Sequence, residues 1–163
     1  MRSVTTTAVR PEPDSRPVHR RGPEPLAYRS CVELLTGALI GRVIYTSGAM
    51  PDAQPVTYRI DGDDIIFCTE RGSALDLAVS GAVVAFEADS IDLDTLAGWS
   101  VLAVGHAHRV TDPQRLADLN KRFPRSSSTG PLTTTIAIPI TQVAGRRMPT
   151  TGITPGRPSV PVH

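Results

Sequence analysis

The sequence predicts a mainly β domain, an antiparallel sheet that curls on itself into a small barrel with short helices around it. Three observations carry this. Roughly six segments alternate apolar and polar side chains with the period of two that a half-buried strand requires. Asp61-Gly62 is the strongest hairpin signal in the chain and ties its flanking segments antiparallel. No helix of crossover length recurs between strands, as a parallel doubly wound sheet would need.

Taken in order, residues 1–25 are rich in proline, arginine and threonine and nearly free of bulky apolar side chains. Pro11, Pro13, Pro17, Pro23 and Pro25 exclude a helix, and little apolar surface offsets the entropy of ordering. This stretch reads as a tail. Val32, Leu34 and Leu35, with Gly37 behind them, predict a short amphipathic helix over 28–37. Leu39, Gly41, Val43 and Tyr45 alternate with Ile40, Arg42 and Ile44, so 39–46 is a strand. A turn at 47–52 leads to a second strand at 54–60, and the Asp61-Gly62 hairpin to a third.

The third strand and its sequel organise the chain. Ile65, Phe67 and Thr69 fall on one side, Ile66 and Cys68 on the other. Glu70-Arg71-Gly72 then turns into a helix with Ser73 as N-cap and Asp76 as the acidic member of a capping box. Leu75, Ala78 and Val79 form its apolar stripe, and Gly81 stops it. A helix start carries unpaired N–H groups and the positive end of the macrodipole. Gly72 for close approach, the Ser73 hydroxyl and the Arg71 cation make this turn either a phosphate seat or an ordinary capped turn.

Residues 82–88 follow as an apolar strand and 89–97 as an acidic loop. The stretch 99–110 is a long strand, with Gly105 marking a bulge or a close backbone approach. Thr111-Asp112-Pro113-Gln114 starts a helix, boxed by Thr111 and Gln114 and buried through Leu116, Leu119 and Phe123. A loop at 126–131, a core strand at 133–141 and its continuation at 143–148 complete a domain spanning 26–148. Residues 149–163 return to the composition of a mobile tail.

Composition narrows the function. The 163 residues carry a formal net charge of +1, too little field to argue for nucleic acid or an anionic membrane. No apolar run approaches the roughly 20 residues of a membrane helix, and the N-terminus lacks the apolar core of an export signal. Cys31 and Cys68 stand far apart, as buried free thiols in a reducing cytoplasm do. His106 and His108 share one face of a strand, but no acid or thiol completes a ligand set, so no metal is expected. Ser73 and Ser100 lack the elbow and oxyanion loop of a hydrolase. Two readings stay open for Arg146-Arg147: solvated cations, or a clamp on an anionic ligand. Trp99 is likewise either a core anchor or a wall for a flat aromatic ligand.

The order of motifs adds a resemblance. Cys31-Val32-Glu33-Leu34-Leu35, Ile40-Gly41-Arg42-Val43 and Gln54-Pro55-Val56-Thr57-Tyr58 come first. Asp61-Gly62-Asp63, Ile66-Phe67-Cys68-Thr69 with Gly72-Ser73, and Val84-Ala85-Phe86-Glu87 follow. Gly98-Trp99-Ser100-Val101-Leu102, Val104-Gly105 and Gly145-Arg146-Arg147 close the series. From about Leu26 to Met148 the chain resembles the pyridoxamine 5′-phosphate oxidase-like, flavin-binding split-barrel family, in particular its small actinobacterial-type members.

That resemblance implies a six-stranded antiparallel Greek-key split barrel, usually a homodimer, with FMN in clefts between the subunits. By position, Thr57 and Tyr58 would lie along the isoalloxazine, and Thr69, Arg71 and Ser73 near the ribityl phosphate. Trp99 and Arg146 or Arg147 would approach from elsewhere in the dimer. Two positions depart from the pattern: Ala74 stands where relatives often carry a phosphate-binding lysine, and Thr57 where many carry asparagine. One lost ammonium–phosphate contact is worth roughly 1.5–3 kcal/mol. The function implied is an FMN-dependent oxidoreductase with a small-molecule substrate, deazaflavin being a close cofactor variant. The alternatives are a non-catalytic flavin, deazaflavin or haem binding protein, with His106 and His108 as the haem ligands to test, and a barrel without cofactor. No residue presents itself as a catalytic acid or base, so none is assigned.

Overall fold

The computed structural model describes residues 24–123 and 132–149. The expected loop at 126–131 and nearly all of both expected tails lie outside them. Nine strands and three helices follow in chain order: β1 (Glu24–Leu26), α1 (Tyr28–Gly37), β2 (Ile40–Ser47), β3 (Met50–Asp61), β4 (Asp64–Glu70), α2 (Ala74–Val79), β5 (Val83–Ile91), β6 (Gly98–His106), β7 (His108–Arg109), α3 (Pro113–Arg122), β8 (Thr133–Pro139) and β9 (Gln142–Met148). Their order across the sheet is β1-β9-β6-β5-β2-β3-β4-β8-β7, antiparallel in every pair.

Two places where the chain passes between half-sheets make this a split barrel. β3 is 12 residues long. Met50–Thr57 pair with β2 and Tyr58–Asp61 with β4. On the other side β6 pairs with β5 and β9, and beyond the fully buried Ala107 the chain continues as β7 against β8. The Thr141 N–H donates to the Val104 carbonyl at 3.0 Å, stitching the end of β8 to β6.

The strand count exceeds the expected six for local reasons. Glu24, Pro25 and Leu26 pair with Arg147, Arg146 and Gly145, so two residues assigned to the tail belong to the sheet. Residues 143–148 do not continue β8: the chain reverses at Ile140-Thr141 and β9 pairs with β6 instead. The turn expected over 47–52 is only two residues long. Gly48 (φ 56°) and Ala49 (φ 64°) both take the left-handed conformation that matches strand twist, so β3 begins at Met50. β5 likewise runs to Ile91, into the expected loop. The N-cap of α3 is Asp112, which accepts from the Gln114 and Arg115 N–H groups, and not Thr111.

Tyr58, Phe67, Phe86, Leu35, Ile65 and Leu75 are among the largest fully buried side chains, and α1 and α2 contribute Leu35, Leu75 and Val79 to that core. α3 covers the outside of the β4–β8 half, where Leu119, Leu116 and Phe123 pack on Ile66 and Ala137. Arg115 pairs with Asp64, and Arg122 with Asp61 at 2.6 Å, fastening α3 to the β3–β4 hairpin. Among the described residues, nothing covers the outside of the β2-β3-β5-β6 half in this way: Ile40 is 63% exposed and Leu102 40%.

Candidate functional site

The turn from β4 into α2 forms as a capped turn. The Ser73 Oγ accepts from the Asp76 N–H at 3.2 Å and lies 3.1 Å from the Thr69 Oγ1. Asp76 does not complete a capping box, however. Its Oδ2 accepts from the Gly72 N–H at 2.8 Å, while the Ser73 N–H donates to the Glu70 carbonyl at 3.1 Å. The Arg71 N–H donates to the Leu132 carbonyl at 2.7 Å. Gly72 (φ 78°) is glycine for its left-handed backbone, because its amide is already taken from within. The amides of residues 71–73 and 76 are therefore committed inside the chain and are not open to a phosphate. What the turn offers an anion is the exposed Arg71 guanidinium, which has no ion-pair partner among the described residues. When Thr69 donates to Ser73, the Ser73 hydroxyl proton is also available. This fits a single anionic group at the rim.

Behind the turn lies a pair the sequence did not reveal. Asp76 is fully buried, and Arg109 of β7 reaches it through Nε at 3.0 Å and Nη2 at 2.9 Å. The buried Thr134 Oγ1 has no partner within hydrogen-bonding geometry, yet it is close enough to act on the same carboxylate. Burial alone would raise the Asp76 carboxyl. The Gly72 N–H, the Arg109 guanidinium and the Thr134 hydroxyl outweigh it and hold the carboxyl below the ordinary range. A carboxyl depressed by folding contributes stability above its unfolded pKa of about 3.9 and loses it as pH falls through the folded value. Replacing Arg109 with Leu strands a buried carboxylate. The expected loss is about 2 kcal/mol near neutral pH, below the fully buried case because the Arg109 side chain is 41% exposed. Urea unfolding of both proteins reads this, and the gap should close as pH drops below about 4. An equal gap at every pH would remove Asp76 from the account.

The remaining expected residues divide between two faces. Adjacent residues of a strand point to opposite sides. Thr57 is exposed on the bare outer face, opposite Ile40. Tyr58 points inward, which corrects its placement along the isoalloxazine: its hydroxyl donates to the Leu35 carbonyl at 2.6 Å and its ring meets Phe86 edge-on at 4.6 Å. Desolvation pushes its pKa up to about 12. Arg146 and Arg147 part in the same way. Arg147 sits opposite the half-buried Trp99, which packs against the core, and Arg146 opposite Ser100 on the outer face. The two arginines therefore cannot clamp one ligand together. The outer face also carries a charged cluster, with the Arg42 guanidinium 2.9 Å from Glu87 and 2.6 Å from Asp89. Around it stand Ile40, Ile44, Ala53, Pro55, Leu102 and Val104.

His106 is exposed and His108 half-buried, and no group of three metal-ligating side chains occurs among the described residues. Cys31 and Cys68 are both free. No helix of the described residues is long and apolar enough to cross a membrane.

Comparison with known proteins adds the context. The family described as pyridoxamine 5′-phosphate oxidase matches residues 28–147. An uncharacterized protein of Mycobacterium tuberculosis is 35% identical over 91 residues, which are 53% of this chain and 60% of that protein, so the likeness spans about three fifths of the relative. The FAD binding protein from Mycobacterium smegmatis is 29% identical and superposes with a TM-score of 0.65 over 77% of this chain and 97% of its own. A FAD-binding protein from Mesorhizobium loti, 20% identical, superposes at 0.61 over 77% and 96%, a likeness of fold alone.

Proposed function

Because the chain belongs to the pyridoxamine 5′-phosphate oxidase family, we propose that it is a flavin-dependent oxidoreductase acting as a cytoplasmic homodimer on a small molecule, with FMN as its cofactor. The observation that carries this reading is the bare apolar face of the β2-β3-β5-β6 half-sheet. A second copy of the chain would cover that face, and Thr57 and Arg146 lie on it. The FAD binding protein from Mycobacterium smegmatis supports flavin as the ligand class and makes FAD the alternative form.

In this reading a bound flavin supplies the two-electron chemistry. The chain contributes position and charge. Thr57 would offer its hydroxyl to the ring edge, Arg146 a cation at the subunit boundary, and Arg71 a cation to the phosphate at the rim of its turn. Ile40 and Leu102, buried against the partner, keep water from the cleft. Tyr58 and Phe86 act from beneath as the floor on which the face is built.

Anaerobic mixing of the flavin-loaded protein with a reduced nicotinamide, and separately with a reduced deazaflavin, tests the reading. Bleaching of the flavin by one of them is the expected result. A bound flavin that neither reductant bleaches would contradict an oxidoreductase and leave a flavin-binding protein.

A further inference from the structure

The turn before α2 already contains an anion. The Asp76 carboxylate is fully buried, takes the Gly72 N–H at 2.8 Å and is neutralised from behind by two bonds from Arg109. The Ser73 Oγ accepts from the Asp76 N–H, and Ala74, exposed at the first position of the helix, brings no cation.

Resting on the flavin reading above, we infer that Asp76 is the specificity-determining residue of this turn. Its carboxylate fills the place a terminal phosphate would take, so the protein recognises a flavin by its ring and ribityl chain and gains little from the phosphate of FMN. A dianionic phosphomonoester approaching the turn meets one exposed guanidinium and at most the Ser73 hydroxyl proton, and an exposed ion pair of that kind changes affinity by no more than about fivefold. A phosphate seated on helix-start amides and a lysine would gain far more. Asp76 and Arg109 form a closed, neutral pair, whereas removing the carboxylate's charge leaves the Arg109 guanidinium without its anion behind the turn.

The test is fluorescence titration of the full chain with riboflavin and with FMN. The wild-type protein should bind the two with affinities less than about tenfold apart. In the Asp76→Asn variant, which keeps the shape and an acceptor for Gly72, the preference for FMN should rise at least about tenfold over wild type. Circular dichroism first establishes that the variant is folded. If it is not, the wild-type ratio decides alone. Wild-type binding of FMN tenfold or more tighter than riboflavin overturns the inference and leaves the flavin reading intact, as does an Asn variant whose preference does not move. Folded wild-type protein that binds neither flavin overturns the flavin reading and the inference with it.

Discussion

Gly105→Ala is expected to be among the most damaging single substitutions in this chain, lowering stability by about 3 kcal/mol, the upper end of overpacking penalties. A methyl group on Gly105 would overlap the Pro139 carbonyl oxygen and stand 2.9 Å from the Ile138 Cγ2. The obstacle is backbone, which no rotamer change moves aside. Gly105 lies on β6 just before Ala107, where the chain leaves one half-sheet for the other, and β8 passes directly against it. Relief requires β6 and β8 to separate, and with them the Thr141–Val104 bond that stitches the halves. Gly37→Ala is the control, because nothing lies within 4 Å of the added carbon. Its effect should stay within about 0.5 kcal/mol. Chemical denaturation of the two variants side by side measures the difference, and equal stabilities would refute the barrel closure described here.

Replacing Ile40 and Leu102 together with lysine should abolish the proposed dimer and, with it, most flavin affinity, while leaving the subunit folded. Both side chains are exposed in the single subunit, so the fold loses little. Arg42 already holds Glu87 and Asp89 on this face, so those carboxylates are not free to neutralise the new ammonium groups. In a symmetric dimer the two substitutions place four ammonium groups in one apolar interface. Desolvating them costs several kcal/mol in total, enough to weaken association by roughly 10³-fold. Light scattering should then report a monomer with nearly unchanged circular dichroism, and flavin affinity should fall by about 100-fold or more. A double variant that stays dimeric would place the interface elsewhere. One that becomes monomeric but keeps its flavin would show that the site is complete within one subunit.

Much of the barrel was legible because its signals are local. Alternation in Val43-Tyr45 and Ile65-Phe67, the Asp61-Gly62 hairpin, and the Ser73 cap each depend on neighbours within a few positions. The crowding at Gly105 was legible as a close approach, though the approaching strand was not, since β8 lies some thirty residues onward. The splitting of one expected strand at Ala107, and the pairing of β9 with β6, are decisions of tertiary contact that no short window contains. The site was legible only in part. Strand parity alone separates Thr57 from Tyr58 and Arg146 from Arg147, so the two members of each pair serve opposite faces of the sheet. Asp76 in the apolar stripe of α2, beside Leu75 and Val79, was a signal that a buried carboxylate needed a cation. Which cation is a question of fold: Arg109 is 33 residues away.

Sedimentation velocity of the purified full chain, read at once in the protein and flavin absorption bands after incubation with FMN or FAD, tests the central claim most directly. The account predicts flavin absorbance travelling with a species of twice the chain mass. A single species of one chain mass that carries no flavin, at concentrations where the protein is folded, would contradict it.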